Sequence, residues 1–576
     1  MTFCLASYTL SAFAQALPTI PQSFTEDIRQ QERDRALREQ QEQGVDERLE
    51  KPAPQDNRRL PKSESPCFRI DRIILTGDDA EDFQWALAGI AGVRGDDDPR
   101  GRCLGTEGVN IVLARIQQAI IADGYVTTRV LAGSQDLTQG TLTFTLIPGR
   151  IAAIHLTPDS TPTTLGAGAL LAATIPARAG DLLNLRAIEQ GLENLKRIPG
   201  VAADIQIKPA AGADAVAGQS DLEVKYIQAR AFRGAVNLDD SGMRSTGKTI
   251  GSVTLSADNL LGLADMLYIN AGHGVGGDGL NSARGSTESQ SLGYTIPYGN
   301  WVLGFNASNS RYWQSVPGLI QNYIYAGKNN YFETSLSRLI YRDQHSKTSV
   351  SARAFRREGR NYIDDAELDV QHRVVSGWIL GINQKEFIDT SSGTATLDGN
   401  LNYKRGTGAF GSIPAPEENF GTGTSRMQLI TADASLNIPI VMGEQRFRYS
   451  GLWRAQWNRT PLTTQDQFAI GGRYTVRGFD GETSLIAERG WFIRNDLGWS
   501  IPGVQSAELY LGADWGQVGG PSTVFLLGDH LAGAVAGVRG AWNGLNYDLF
   551  AGAPISKPEN YPTASLTGGF SLTYSF

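Results

Sequence analysis

The end of the chain alternates strictly between apolar and polar positions. Leu566, Gly568, Phe570, Leu572, Tyr574 and Phe576 fall on one face, and Thr567, Gly569, Ser571, Thr573 and Ser575 on the other. This is the period-2 pattern of a strand with an apolar outer side. Arg446 to Trp457 repeats it, with Phe447, Tyr449, Gly451, Trp453, Ala455 and Trp457 opposite Arg446, Arg448, Ser450, Arg454 and Gln456; Leu452 is the one apolar exception. A soluble sandwich would not turn three arginines into its core, whereas a water-filled lumen accommodates them. The stretch from Arg230 to Phe576 has room for about sixteen such strands of roughly ten residues with their turns. Trp491 and Trp499 suit the aromatic girdles at the two membrane interfaces.

Earlier segments follow other periods. Phe24 to Gln43 reads as a helix polar all round, with Asp34/Arg38, Arg35/Glu39 and Arg38/Glu42 as i,i+4 pairs and Gly44 to end it. Phe24, Ile28 and Leu37 make no continuous stripe, so the helix is either a solvated arm or the lining of something polar. Its length, roughly 30 Å, is close to the height of a barrel's apolar band. Val45 to Pro66, with Pro52, Pro54 and Pro61 among charges, reads as a mobile linker. From Cys67 to about Ala229 the pattern gives β-α-α-β-β twice. The first unit opens on Phe68, Ile70, Ile73 and Leu75. A helix through Val109, Val112, Leu113, Ile116 and Ile120 stops at Gly124, and strands Thr127 to Val130 and Thr141 to Leu146 follow. The second unit has a strand Ile151 to Leu156, a helix through Leu185, Ile188, Leu192 and Leu195, and strands Ala203 to Lys208 and Asp221 to Ile227.

Composition narrows the class. No stretch reaches the roughly 18 to 20 apolar residues of a membrane helix, so a membrane crossing here is by strands in a closed barrel. A net charge of -8 and a pI near 5.4 argue against a nucleic-acid partner. Residues 3–16 form a short apolar run ending in small residues, an expected signal sequence cleaved after Ala14 or Ala16, although its basic flank is missing. Cys4 lies in that run, which leaves Cys67 and Cys103 as one pair for an oxidising compartment, with two free thiols as the alternative. A bridge there would contribute roughly 3 to 4 kcal/mol. Catalytic signatures are missing: the five histidines make no His-Glu-x-x-His, and there is no Gly-x-Ser-x-Gly and no Cys-x-x-Cys. Gly272 to Gly277 spells G-x-G-x-x-G, but no helix pattern follows it, so a barrel turn is the better reading. No nucleotide motif, no metal site, no catalytic residue and no cofactor are expected.

Three motifs then bear on identity. Gly471-Gly472-Arg473-Tyr474-Thr475-Val476-Arg477-Gly478-Phe479, followed by Ala513-Asp514-Trp515-Gly516 and the terminal strand with Phe570, Leu572, Tyr574 and Phe576, resembles the paired motifs of the Omp85 superfamily. Cys67-Phe68, Cys103-Leu104-Gly105, Gly124-Tyr125-Val126-Thr127-Thr128-Arg129-Val130 and Ile147-Pro148-Gly149-Arg150-Ile151 resemble the first POTRA domain of its two-partner secretion branch, the TpsB or haemolysin activator/secretion family. Two α/β units favour that branch over barrel-assembly insertases.

The resemblance implies a transmembrane β-barrel of about 16 strands preceded by two periplasmic α/β POTRA domains and an N-terminal plug helix. The boundaries it suggests are signal 1–16, plug helix 17–43, linker 44–65, POTRA 1 at 66–150, POTRA 2 at 151–229 and barrel 230–576, with an inward-folded loop at about 462–489. It implies that Arg477 meets Asp514 on the lumen wall, that Gly478 permits a tight bend, and that Phe479 and Gly516 shape the contact. The motif Gly124, Tyr125, Thr127, Thr128, Arg129 reads as mainly structural. It further implies a protein of the Gram-negative outer membrane, in contact with its lipids and inserted by the barrel-assembly machinery. The partner would be a large secreted protein carrying an N-terminal secretion domain. An Omp85-type insertase and a diffusion porin with periplasmic binding modules are the two rival readings.

Overall fold

The computed structural model describes residues 23–42, 44–49, 58–211, 216–275, 285–504 and 506–576. The expected signal run, Gln43, Pro52, Pro54, Gly276 and Gly277 lie outside them. Among the described residues sixteen strands close a barrel. In chain order they are β1 (Phe232–Asp239), β2 (Ile250–Asp258), β3 (Met266–Gly274), β4 (Gly285–Tyr298), β5 (Trp301–Pro317), β6 (Asn322–Arg342), β7 (Ser346–Ile363) and β8 (Arg373–Thr390). Then follow β9 (Gly393–Thr407), β10 (Gln428–Met442), β11 (Gln445–Asn458), β12 (Arg489–Ser500), β13 (Ala507–Gly519), β14 (His530–Trp542), β15 (Leu545–Ser556) and β16 (Thr567–Ser575). Neighbours pair antiparallel, and β16 closes on β1 from Ser571/Asp239 to Ser575/Ala235. Phe576 extends that seam by exchanging both backbone hydrogen bonds with Gly234, at 2.9 and 3.1 Å. Its ring lies where a Cβ on residue 234 would stand, so glycine makes the room.

Alternation does the rest. Leu255, Ile269, Phe332, Leu380 and Leu511 stay exposed on the outer surface, the apolar band a lipid bilayer requires. No described helix is long and apolar enough to cross a membrane. Turns at one rim are mostly short, as between Tyr298 and Trp301 or Met442 and Gln445, while most connections at the other rim are long, up to the one from Asn458 to Arg489.

Two α/β units precede the barrel, and the second abuts its short-turn rim. In the first, Arg72–Gly77 runs parallel to Thr141–Ile147, which pairs antiparallel with Arg129–Leu131. Helix α2 (Thr106–Ala122) packs Ile111, Val112, Ile116 and Ile120 into its core. Phe68–Ile70 pairs with Arg102–Leu104 beside the Cys67–Cys103 disulfide. Two expectations need correction here. The first of the two helices read for this unit is a 3-10 helix, Ala80–Ala91, with Ala80, Phe83, Ala86 and Ile90 buried at spacings of three, three and four. The strand read from Thr127 begins only at Arg129, since Tyr125 to Thr128 are spent on a joint described below. In the second unit, α3 (Ala167–Thr174) and α4 (Leu185–Lys196) cover a sheet ordered Arg150–Leu156, Gln219–Gln228, Val201–Pro209. Asn194 of α4 reaches the barrel rim by donating to the Gly299 carbonyl at 2.8 Å.

Candidate functional site: the contents of the barrel

A loop between β11 and β12 folds into the lumen and ties itself to the wall at three places. The first is Arg477. Its Nε and Nη2 donate to Asp514 of β13 at 2.7 and 2.8 Å, and its backbone N–H adds a third bond to the same carboxylate at 2.9 Å. Nη2 also donates to Asp496 of β12 at 2.6 Å. All three side chains are buried, so the paired geometry offsets a large desolvation cost. Glycines on both surfaces permit the approach. Gly478 takes φ +95°, and a Cβ there would meet the Ala553 carbonyl oxygen at 2.6 Å. A Cβ on Gly516 would strike Val476, and one on Gly512 would strike Asp496 and the Arg477 guanidinium. Phe479 is buried edge-on against Tyr561. The second tie is Asp466, bound by Arg357 of β7 at 2.8 Å and Lys404 of β9 at 2.9 Å. The third is Arg473, which pairs with Asp240 just past β1 and donates to the Phe570 carbonyl of β16 at 2.7 Å. Asp480 accepts the Ala564 N–H at 3.1 Å, and Glu482 that of Arg244 at 3.2 Å.

The apolar exception on β11 has its explanation in the same loop. Leu452 faces inward and packs on a cluster of Phe468, Ile470, Val476, Phe479, Leu485 and Phe492.

Helix α1 (Ser23–Gln41) lies in the lumen beside this loop. Glu32 accepts two bonds from Arg454 of β11 at 2.9 and 3.0 Å, Arg35 pairs with Asp433 of β10 at 3.2 Å, and Asn329 of β6 donates to Asp27 at 2.7 Å. Of the internal pairs read from the sequence, Arg35/Glu39 forms at 2.8 Å. Asp34 instead meets Gln30 and Ser308, and Arg38 meets Glu333 of β6. A polar wall within reach competes for the same side chains, which a solvated helix would keep for itself.

The motif at Gly124 forms the joint between the α/β units. Gly124 ends α2 with φ +103° and accepts the Leu185 N–H at 2.8 Å. Tyr125 packs on Phe83 in the first core while Val126 packs in the second. Thr128 is buried and accepts the Gly149 N–H at 3.0 Å, and a Cβ on Gly149 would collide with Thr127. Arg129 turns back to the Val126 and Thr128 carbonyls.

One further sequence reading needs correction. Gly242 to Thr249 does spell the phosphate-loop pattern G-x-x-x-x-G-K-T. It lies in the connection between β1 and β2 with Met243 bridged to Gly247, and a strand follows it rather than the helix that such a cradle needs.

Known proteins resemble this chain in its α/β units, in its barrel and along nearly its whole length. The family model for haemolysin secretion/activation proteins ShlB/FhaC/HecB matches residues 218–540, and POTRA models match residues 96–149, the latter of ShlB type, and 150–209. The chain belongs to that family. It is 34% identical to the outer membrane transporter CdiB-2 of Burkholderia pseudomallei over 99% of its own length and 98% of the relative's. It is 22% identical to the hemolysin transporter protein ShlB of Serratia marcescens, over 72% and 71%. The solved structure of CdiB from Acinetobacter baumannii superposes with a TM-score of 0.83 at 28% identity, covering 96% of this chain and 99% of that one. This family of two-partner secretion transporters acts in the outer membrane, with the POTRA domains in the periplasm; the short-turn rim is therefore the periplasmic one. Its function is transport rather than enzymatic turnover.

Asp496, Gly512, Asp466, Arg357, Lys404 and Asp240 were not singled out from the sequence, and Arg473 only as part of the Gly471–Phe479 motif. A faint signal existed for three of them, since Arg357, Lys404 and Asp496 are charges within strands, where an apolar core would exclude them.

Proposed function

We propose that this transporter captures one unfolded partner exoprotein, haemolysin- or adhesin-like, with its POTRA domains and passes it through the barrel to the cell surface without ATP. The observation that carries this reading is the polar helix in the lumen. A channel filled by a segment whose bonds are side-chain pairs can exchange those pairs for water or for another polar chain, whereas an apolar plug would be sealed in. Helix α1 closes the pore at rest. Arg477 and Asp514 set the position of the inward loop, and Gly516 and Phe479 shape its seat. Capture suits the edge strand Val201–Pro209, which pairs on one side only in its sheet. An extended client gains backbone hydrogen bonds at such an edge without needing a particular sequence. Direction comes from the client folding outside, which removes it from the backward equilibrium. The partner carries an N-terminal secretion domain, and the transporter is itself inserted among outer-membrane lipids by the barrel-assembly machinery.

A proteomic comparison of culture medium and cell surface between wild type and a deletion strain tests this. Loss of one large protein is the expected result. A broad fall in barrel proteins would replace this reading by an insertase, and an unchanged profile by a porin.

A further inference from the structure

The inward loop carries more anchorage than the Arg477 pair. Asp466 stands on its leading leg, buried, with both carboxylate oxygens engaged: Oδ2 by Arg357 at 2.8 Å and Oδ1 by Lys404 at 2.9 Å. Gln456 of β11 holds its backbone carbonyl at 2.8 Å, and Arg357 donates to the preceding carbonyl of Gln465 at 3.3 Å. Polarity is reversed relative to Arg477, because here the loop supplies the anion and the wall the cations. Place in the barrel matters as much as chemistry. Arg357 and Lys404 lie on β7 and β9, flanking β8, while Arg473 reaches the β16/β1 junction, eight strands away in a barrel of sixteen. The loop therefore spans the lumen from wall to opposite wall, with Arg477 tied between. The neighbouring Gln465 donates to Asp27 of α1 at 3.3 Å, so the same leg also touches the lumen helix.

We propose that Asp466 is a second positioning residue of the loop, an anchor of reversed polarity on Arg357 and Lys404 that fixes where the loop's leading leg stands and so the width of the path beside it. That consequence rests on the lumen being the transport path. The anchor itself does not, because a loop that moves changes ion flow whatever the barrel exports. Neutralising the acid leaves the buried Arg357 and the half-buried Lys404 without their partner, and the leg swings free while Arg477 and Arg473 still hold the rest.

The test is conductance of the full-length protein in planar bilayers in KCl, with folding checked by heat-modifiable gel mobility. Asp466→Asn is expected to raise the open-channel fraction several-fold, and the wall-side double variant Arg357→Gln/Lys404→Gln to match it. Combining the two should add nothing further, and Asp466→Glu should return most of the wild-type behaviour. Folded Asp466→Asn and wall-side proteins with wild-type open fraction and conductance would overturn the assignment, even with lowered heat stability, since that pattern belongs to a merely structural pair. If Asp466→Asn does not assemble, the wall-side variant decides alone. Loss of secretion in the deletion strain is read separately, so either conclusion can fail without the other.

Discussion

The two pieces of chain inside the barrel are held in opposite ways. Helix α1 has three fully buried residues among those described, Glu26, Asp27 and Gln30, and all are polar. The loop between β11 and β12 buries Phe468, Ile470, Val476, Phe479 and Leu485 in one cluster and adds desolvated ion pairs at Arg477 and Asp466. Partly wet pairs such as Glu32 with Arg454 contribute little once water is offered as an alternative partner, roughly 0 to 1 kcal/mol each. Removing apolar surface from water offers no such exchange, and a buried pair leaves an unpaired charge behind when broken. The helix is held by polar contacts alone at its buried positions and the loop by apolar burial as well, although both occupy the same lumen.

The sharpest way to break this contrast is Asp514→Ala. It strands Arg477 in a desolvated site, and a loss of about 3 to 5 kcal/mol from the loop's seating is expected, read as protease cleavage within 471–479 of folded barrels. Phe479→Ala attacks the apolar half of the same anchorage. A cost of about 3 kcal/mol is expected, with the cavity beside Tyr561 as its cause, and hydrogen exchange of the loop amides measures it. Arg454→Gln sharpens the other side. It should cost no more than about 1 kcal/mol of overall stability, yet raise the frequency of channel opening because the helix loses its paired contact at Glu32. Smallest of all is the effect of salt on stability. Going from about 0.1 M to about 1 M KCl shortens the screening length from about 10 Å to about 3 Å, and bilayer recordings should show more helix departures while protease resistance of the loop is unchanged. Equal salt sensitivity of loop and helix would end the distinction.

The same contrast explains which features were legible in the sequence. Strands β11 and β16 were plain, because lipid outside and water inside impose period 2 directly on the residues. The α2 stripe from Val109 to Ile120 was plain for the same reason at helical period. Arg477 and Asp514 were legible only through family resemblance, since nothing local says that a loop residue will meet a strand 37 positions later. Asp466 was invisible, and Asp496 showed only as a charge within a strand. Each partners a residue distant in sequence, and their neighbours give no pattern from which the contact could be read. The first helix of the first unit was implied only by the order of elements, and its 3-10 form over Ala80–Ala91 was not legible.

By itself the sequence determined the parts: alternating strands whose arginines demand a wet interior, a helix too polar to have a core, two α/β units, and a cysteine pair. Those are answers to local questions of solvent and period. The tertiary structure decided the pairings: which wall cation Asp466 meets, that Asp34 and Arg38 abandon each other for Ser308 and Glu333, and that Leu452 faces an apolar loop instead of water. Closing sixteen strands sets those distances, and a charged side chain inside the ring takes whichever partner the closed ring brings within reach.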